Sequence, residues 1–334
     1  ARHVGEGIAA VAARTEALAE KAMRHVKVKY EQLPAVFDPF EAMEPGAQQL
    51  YKNVMLGDVT LPIESNIACP REVSEGDIEQ GFKEADLIVE NEFSTGRVYH
   101  CQMETKSVVC RPEPDGGITV WPTAQSIHNV RQLLGRIFHI PLNKINVHRV
   151  AIGGTFGSSI QMNSCIAVCA ALALKAGKPV KLPLTREEDM YDHCKYPSII
   201  QLKYGVKKDG TITAGELKTI VDIGAHNIQA YPLLGCMSGW FVSLYRMPHM
   251  RFEGKTVYTN KAPACAMQGY GNPQVSFAVE STMDAIAEKL GMDPIELRLK
   301  NYVGLGETFW GQGPTVRSII RSCGVEEMLL KGKG

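Results

Sequence analysis

Two stretches of this chain hold an aromatic residue between glycines and then run into a helix. The first to draw attention is Ala266-Met267-Gln268-Gly269-Tyr270-Gly271-Asn272-Pro273-Gln274, which leads into an amphipathic run from Val275 to Leu290. Pro273 stands near the helix start, where its fixed φ and missing N–H cost little. The second lies upstream as Gly153-Gly154-Thr155-Phe156-Gly157-Ser158-Ser159 and precedes an apolar helix over about Cys165–Ala176. Glycines let a backbone approach a ligand closely and aim N–H groups at its oxygens, while the ring is held at fixed height. Two such loops predict one shared, buried, polar ligand. Nucleotide loops of the common kinds do not fit. No Gly-Lys-Ser/Thr follows Phe156, and the glycine spacing and a ribose-binding acid expected of a dinucleotide fingerprint are missing. A purely structural turn is the plain alternative for the Gly153 loop.

The rest of the sequence reads as a mixed α+β chain. Strands are predicted over 85–95, 106–111, 118–121 and 145–151, where residues are β-branched or alternate. Ser126 caps a predicted helix to Phe138 with Ile127, Val130, Leu133, Leu134 and Ile137 on one face. Residues 199–204 and 211–223 flank Lys207-Lys208-Asp209-Gly210, a hairpin signal. Near the start, 8–23 reads as strand then helix and 26–31 as a strand, and a last helix is predicted over 315–330. Pro34, Pro39, Pro45 and Gly46 break the pattern and predict a domain boundary near residue 50.

Composition excludes some classes. With 334 residues, 36 Lys and Arg balance 36 Asp and Glu, so charge makes no case for nucleic acid or a membrane surface as partner. No apolar window is long enough to span a bilayer. Nine cysteines at irregular spacing include no C-x-x-C pair and no iron–sulfur or zinc pattern. They read as small apolar core residues, with Cys165 and Cys169 sharing a helix face, and reduced thiols fit a cytoplasmic location.

Taken with their surroundings, the two glycine loops resemble those of the molybdenum hydroxylases, the xanthine dehydrogenase and aldehyde oxidoreductase family, in the molybdopterin-binding large subunit. That family's loops usually read Gly-Gly-x-Phe-Gly and Ala-Phe-Arg-Gly-Phe-Gly-x-Pro-Gln. Further matches follow in the family's order: residues 26–36 with Pro45-Gly46, Trp121-Pro122-Thr123-Ala124-Gln125, residues 179–189, and 283–301 ending Glu296-Leu297-Arg298-Leu299-Lys300-Asn301. The resemblance implies the end of a small α+β hammerhead-type domain over 1–50, then a mixed α+β molybdopterin-binding half-domain over 51–334.

What the resemblance implies for chemistry is specific. The cofactor is molybdenum-molybdopterin, in the cytosine dinucleotide form, with the metal fixed by the pterin and not by side chains. Gln125 is the catalytic glutamine that hydrogen-bonds a molybdenum oxygen. Gly153, Gly154, Phe156, Gly157, Gln268, Gly269 and Gly271 contact the cofactor. Phe156, Tyr270, Ile160 and Cys236 line the substrate pocket. His100 and Glu104 match a family His-x-x-Met-Glu-Pro segment, in which the Glu reads as a structural acceptor sooner than as a base, and Glu280 is expected to brace the loop at Tyr270. The family's general base, a Glu in a Gly-rich motif, and the second half of the pterin site belong further toward the C-terminus of a complete subunit. The chain is therefore expected to be a portion of that subunit and not to hold the cofactor alone. Expected partners are a complementary C-terminal molybdopterin half-subunit, an iron–sulfur subunit with 2Fe–2S clusters, an FAD subunit and a small-molecule substrate.

Departures from the pattern shape the expected substrate. Gln268 and Tyr270 replace the usual Arg and Phe. Ile160 stands where purine-oxidising members carry Glu. Around Cys236 and Met237, where xanthine enzymes place an Arg, none occurs between Arg186 and Arg246. A neutral, apolar pocket disfavours a polar purine. The expectation is hydroxylation of an aldehyde or (hetero)aromatic carbon. Cys265 lies three residues before Gln268 and does not match the cysteine loop of carbon monoxide dehydrogenases. The alternative is a non-catalytic scaffold or assembly paralogue.

Overall fold

The computed structural model describes residues 1–56, 59–309 and 317–333. Two sheets organise the chain, each with its own apolar core. The larger sheet has five strands in the order Ile67–Glu75, His249–Tyr258, Ile212–Gly224, Ser198–Val206 and Leu87–Thr95. Its neighbours pair antiparallel except Ile212–Gly224 with His249–Tyr258, which run parallel. A parallel pair needs a crossover, and the helix Ala230–Phe241 supplies it. The hairpin expected at Lys207–Gly210 is present: Lys207 N–H bonds the Thr211 carbonyl at 2.9 Å, and Gly210 takes φ 87°.

The crossover helix and the helix Asn272–Leu290 lie against this sheet. Leu233, Leu234, Met237 and Phe241 from one, with Val275, Val279, Met283 and Ile286 from the other, meet Leu202, Tyr204, Leu217 and Phe252 in the larger core. The smaller sheet runs Ile145–Val147, Ile118–Pro122, Ser107–Pro112 and Val180–Pro183. The helices Ile127–Phe138 and Ser164–Ala176 cover it, burying Val130, Leu134, Ile166, Cys169 and Ala170 against Val108, Cys110 and Ile118. Ser126 caps the first of these helices, accepting from Asn129 N–H, as its position predicts. Ile137 at that helix's end is exposed, so the buried stripe is narrower than the sequence suggests.

All nine cysteines are unpaired, and six, including Cys165 and Cys169, are buried as small core residues. Among the described residues no helix is long and apolar enough to cross a membrane.

Three expectations need correction. Residues 26–31 form no strand, and residues 8–13 precede the helix Glu16–Met23 without entering a ladder. A strand needs a backbone partner; here none is present among the described residues, and Val26, Val28 and Tyr30 are all exposed. The last helix is Val325–Lys333, shorter and later than predicted. A short pairing of Ser318–Ile319 with Thr308–Phe309 occupies the region before it, and the helix starts only past Gly324. Positions 315 and 316 of that prediction lie outside the described residues. Glu280 does not brace the Tyr270 loop. Its carboxylate takes the Tyr245 hydroxyl at 2.9 Å and Arg298 Nε at 2.8 Å, tying its helix to Pro294–Asn301.

Candidate cofactor and substrate site

Each core contributes one glycine loop, and the fold brings the two into contact. The Gly153 loop leaves the smaller sheet after Ile145–Val147 and leads into Ser164–Ala176. The Gly269 loop joins the short strand Ala264–Cys265 to Asn272–Leu290. Gln268 N–H donates to the Phe156 carbonyl at 2.9 Å. Beside it, Gly157 has φ 121° and backs onto Ala266, so a Cβ there would sit 2.7 Å from the Ala266 carbonyl carbon. This glycine is required for the approach of one loop to the other.

The second loop is the more unusual backbone. Gln268, Gly269, Tyr270 and Gly271 all have positive φ, at 29°, 95°, 47° and 93°. Gln and Tyr are costly there. Packing below compensates: a Cβ on Gly271 would meet Met237 Cγ at 2.6 Å and Leu233 Cδ1 at 2.9 Å, so the loop rests directly on the crossover helix. The Tyr270 hydroxyl donates to the Gln229 carbonyl, and its ring meets Tyr196 edge-on at 6.0 Å. Burial pushes the Tyr270 hydroxyl's pKa well up, with Cys236 and Cys265 adding to it. The phenol therefore stays protonated, with its proton already committed.

Gln125 belongs to the first loop's side. Its N–H donates to the Ser159 carbonyl at 2.9 Å, and its Oε1 accepts Ser159 N–H at 3.4 Å. The amide Nε2 has no acceptor among the described residues. Gln125 is exposed and lines an open cleft of about 600 Å³ with Ala124, Arg149, Val150, Ala151 and Ile152. Asn163 fixes the turn behind it, reaching Thr123 O at 3.4 Å and Ser159 Oγ at 3.1 Å.

The segment 100–104 is clamped between both loops. Glu104 Oε2 accepts Gly153 N–H and its Oε1 accepts the Thr123 hydroxyl at 3.2 Å. His100 Nε2 lies 2.7 Å from the Ala266 carbonyl. Glu104 is thus a structural acceptor, and one segment holds one end of each loop. Burial pulls the His100 pKa below the ordinary histidine range, so the ring is neutral and donates through Nε2–H.

A buried ionic cluster anchors that segment, and sequence reasoning missed it. Lys106 Nζ lies 2.9 Å from Asp189 Oδ1 and 3.1 Å from Asp192 Oδ2, with Lys106 and Asp189 both about fully buried. Gln102 Nε2 donates to Asp189 at 2.6 Å, and Tyr99 bonds the same oxygen. Burial and that bond push the Tyr99 hydroxyl up to about 12. Arg186 bonds the carbonyls of Gln102 and Met103, each at 2.7 Å. Residues 179–189 match the family, but nothing in their spacing pairs them with Lys106. Arg149, beside Gln125, was also missed; it has no partner among the described residues.

The remaining expected residues are placed less centrally. Phe156 is 46% exposed, and Gln268 and Gly269 are exposed at the junction. Ile160 is half-buried and closes the first loop through its N–H to the Gly157 carbonyl at 3.2 Å. Cys236 sits exposed on the crossover helix; its neighbour Met237 is the one that meets the loop. The fold thus joins Gln125, both loops and the 100–104 clamp. It brings Cys236 to the second loop's flank, with no bond to the first loop.

A pterin needs donors more than side-chain charge, and the loops supply them. The N–H groups of Gly154, Phe156 and Gly157 on one loop, and of Gly269, Tyr270 and Gly271 on the other, have no acceptor among the described residues. Unpaired N–H groups on glycine-rich backbone can cradle an oxygen-rich, anionic ligand. The residues present fit such a cofactor.

Comparison with known proteins agrees with this geometry. The family model for the molybdopterin cofactor-binding domain matches residues 62–302. The chain is 36% identical over 301 residues to a probable xanthine dehydrogenase subunit of Bacillus subtilis (strain 168), covering 90% of this chain and 39% of that protein. It is 30% identical to the nicotinate dehydrogenase large molybdopterin subunit of Eubacterium barkeri, covering 99% and 75%. Among solved structures, the aldehyde oxidoreductase from Desulfovibrio gigas superposes with TM-score 0.84 at 30% identity, over 96% of this chain and 34% of that one. The chain spans about two fifths of the length of the xanthine dehydrogenase relatives it matches, 39% and 42%. By the matched span, the loops and their cradle, this chain belongs to the molybdopterin cofactor-binding domain family.

Proposed function

We propose that this chain forms one side of the molybdenum-cofactor site of a molybdenum hydroxylase, an oxidoreductase acting on an aldehyde or (hetero)aromatic carbon. The observation that carries the reading is the junction of the two glycine loops at Gln268 and Phe156, with Gln125 beside it. The bound group would supply the two-electron oxidation and the oxygen transfer from water. This chain's residues do the rest by position. Gly154, Phe156, Gly157, Gly269 and Gly271 offer backbone N–H groups to the pterin. Gln125, held through Ser159, offers Nε2 as a donor toward an oxygen at the reaction centre. Its exposed side chain is free to do so.

In this reading residues 1–50 end a hammerhead-type domain and 51–334 form the first molybdopterin-binding half. A complementary C-terminal half completes the pterin site, and 2Fe–2S and FAD subunits take the electrons. The cofactor is the cytosine dinucleotide form, and the complex is cytoplasmic.

The substrate reading rests on the residues that the family resemblance puts in the pocket. Ile160 is half-buried and apolar, Cys236 is neutral, and the Tyr270 hydroxyl is already taken by Gln229. None of these anchors a purine. Two missing polar anchors at about 1–3 kcal/mol each disfavour xanthine by several kcal/mol. The test compares kcat/KM of the intact complex for xanthine, a benzaldehyde and a pyridine-type substrate. The aldehyde or the pyridine should lead; xanthine first by a wide margin would overturn the reading.

A further inference from the structure

Away from the glycine loops, the fold assembles a group of possible metal ligands. One ring nitrogen each from His3 and His226 and a carboxylate oxygen of Glu6 lie within 4.8 Å of one another. It is the one such group of three among the described residues. His226 Nε2 stands 3.0 Å from Glu6 Oε1, across 220 positions of sequence. No ligand spacing in the sequence announces it.

The groups behind these ligands are already arranged for coordination. His226 Nδ1 is held by the Tyr51 hydroxyl at 2.6 Å, which leaves Nε2 to face Glu6. Tyr51 is itself fixed, its ring tilted on Tyr258 of the large sheet with centroids 4.9 Å apart. His3 Nδ1 is occupied by the Val4 carbonyl at 2.8 Å. Ligand imidazoles in metal sites commonly commit their other nitrogen in this way. Glu6 is the one carboxylate of the group, and the Arg2 backbone N–H donates to its Oε2. The opposing charge is Arg2, whose guanidinium stacks on Tyr51 at 4.5 Å and lies 4.0 Å from Glu6.

We propose that His3, Glu6 and His226 bind a divalent cation of the zinc class, with water completing its shell. Two imidazoles and one carboxylate suit zinc and its neighbours, whereas calcium and magnesium favour all-oxygen shells. Bonds of about 2.0–2.1 Å set ligand-to-ligand edges of roughly 3.4 Å in a tetrahedral site, so the His226–Glu6 pair needs little movement. The cation clasps residues 3–6 to the segment that follows Gly224. Three residues past His226, the Gln229 carbonyl takes the Tyr270 hydroxyl. The clasp therefore steadies the support of the second glycine loop.

The test uses the untagged 334-residue chain, stripped with a chelator and titrated with Co²⁺ and then Zn²⁺. Expected are one equivalent bound with Kd below about 100 μM, tetrahedral Co²⁺ visible bands and no thiolate charge-transfer band. His226→Ala and Glu6→Gln should each weaken binding at least tenfold, and Tyr51→Phe by about tenfold. His3→Ala removes little packing, so it keeps the test decisive should His226→Ala fail to fold. Binding weaker than about 100 μM, wild-type affinity in the His3→Ala variant, or a cobalt–thiolate band would overturn the proposal.

Discussion

Replacing Gly157 by Ala should separate the two glycine loops. Gly157 has φ 121°, and its added Cβ would lie 2.7 Å from the Ala266 carbonyl carbon and 3.1 Å from Met267 N. Both are backbone atoms, so no side chain can turn aside. Ordinary carbon contact of about 3.5 Å requires the loops to part by roughly 0.7–0.8 Å. The Gln268 N–H···O Phe156 bond, 2.9 Å long, would stretch past the range in which such bonds hold. The left-handed backbone costs an alanine about 1–2 kcal/mol, and the broken bond adds about 0.5–1.5 kcal/mol. Together these come to about 1.5–3.5 kcal/mol. Gly177→Ala is the control: Gly177 has φ 61° with nothing within 4 Å of its added Cβ, so only the conformational cost of about 1–2 kcal/mol applies. Urea unfolding of both variants, with amide hydrogen exchange at Gln268, reads the difference. Gly157→Ala should lose more stability than Gly177→Ala and should alone expose the Gln268 amide to fast exchange. A Gln268 amide protected as in wild type, or equal stability losses, would refute the contact.

Other consequences can be checked in the same proteins. Lys106→Met removes the buried cation shared by Asp189 and Asp192 and leaves Asp189 only Arg186, 3.7 Å away; it should cost about 3–5 kcal/mol by urea unfolding, and a loss under about 1 kcal/mol would contradict the burial. His100 is held below the ordinary histidine range by burial, so as pH falls the unfolded chain takes up its proton first. Stability should be full above about pH 6.5 and erode below it. His100→Asn should flatten that fall between pH 7 and 5.5, and an unchanged slope would count against the buried neutral ring. In the assembled enzyme, Gln125→Ala should lower turnover by roughly ten- to a thousandfold with a smaller change in KM; wild-type turnover would remove Gln125 from the reaction centre.

How much of this was legible in the sequence depends on the range of the interaction. Ser126 capping its helix, the Lys207–Gly210 hairpin and both glycine loops are local, and their residues report them directly. The strand misread over 26–31 shows the converse. Its alternation is real, but a ladder needs a neighbour that local pattern cannot name. Glu280 lies in the right helix yet bonds Tyr245 and Arg298, partners that the local pattern does not name. Lys106 with Asp189, and His226 with Glu6, are pairings across 83 and 220 positions. A lone Lys at a strand's start or a lone His two residues past a glycine carries no sign of its partner. The meeting of the two loops was implied by their likeness to each other and to the family, but the atoms that join them, Gln268 N–H and Phe156 O, required the fold.

Molybdenum content tests the central claim most directly. The native complex containing this chain, purified without added metal and measured by plasma mass spectrometry, should hold about one molybdenum per chain, as expected of one pterin cradle per copy. A complex with its partner subunits intact and no molybdenum would contradict the reading and leave the chain a scaffold that has kept the fold without the chemistry.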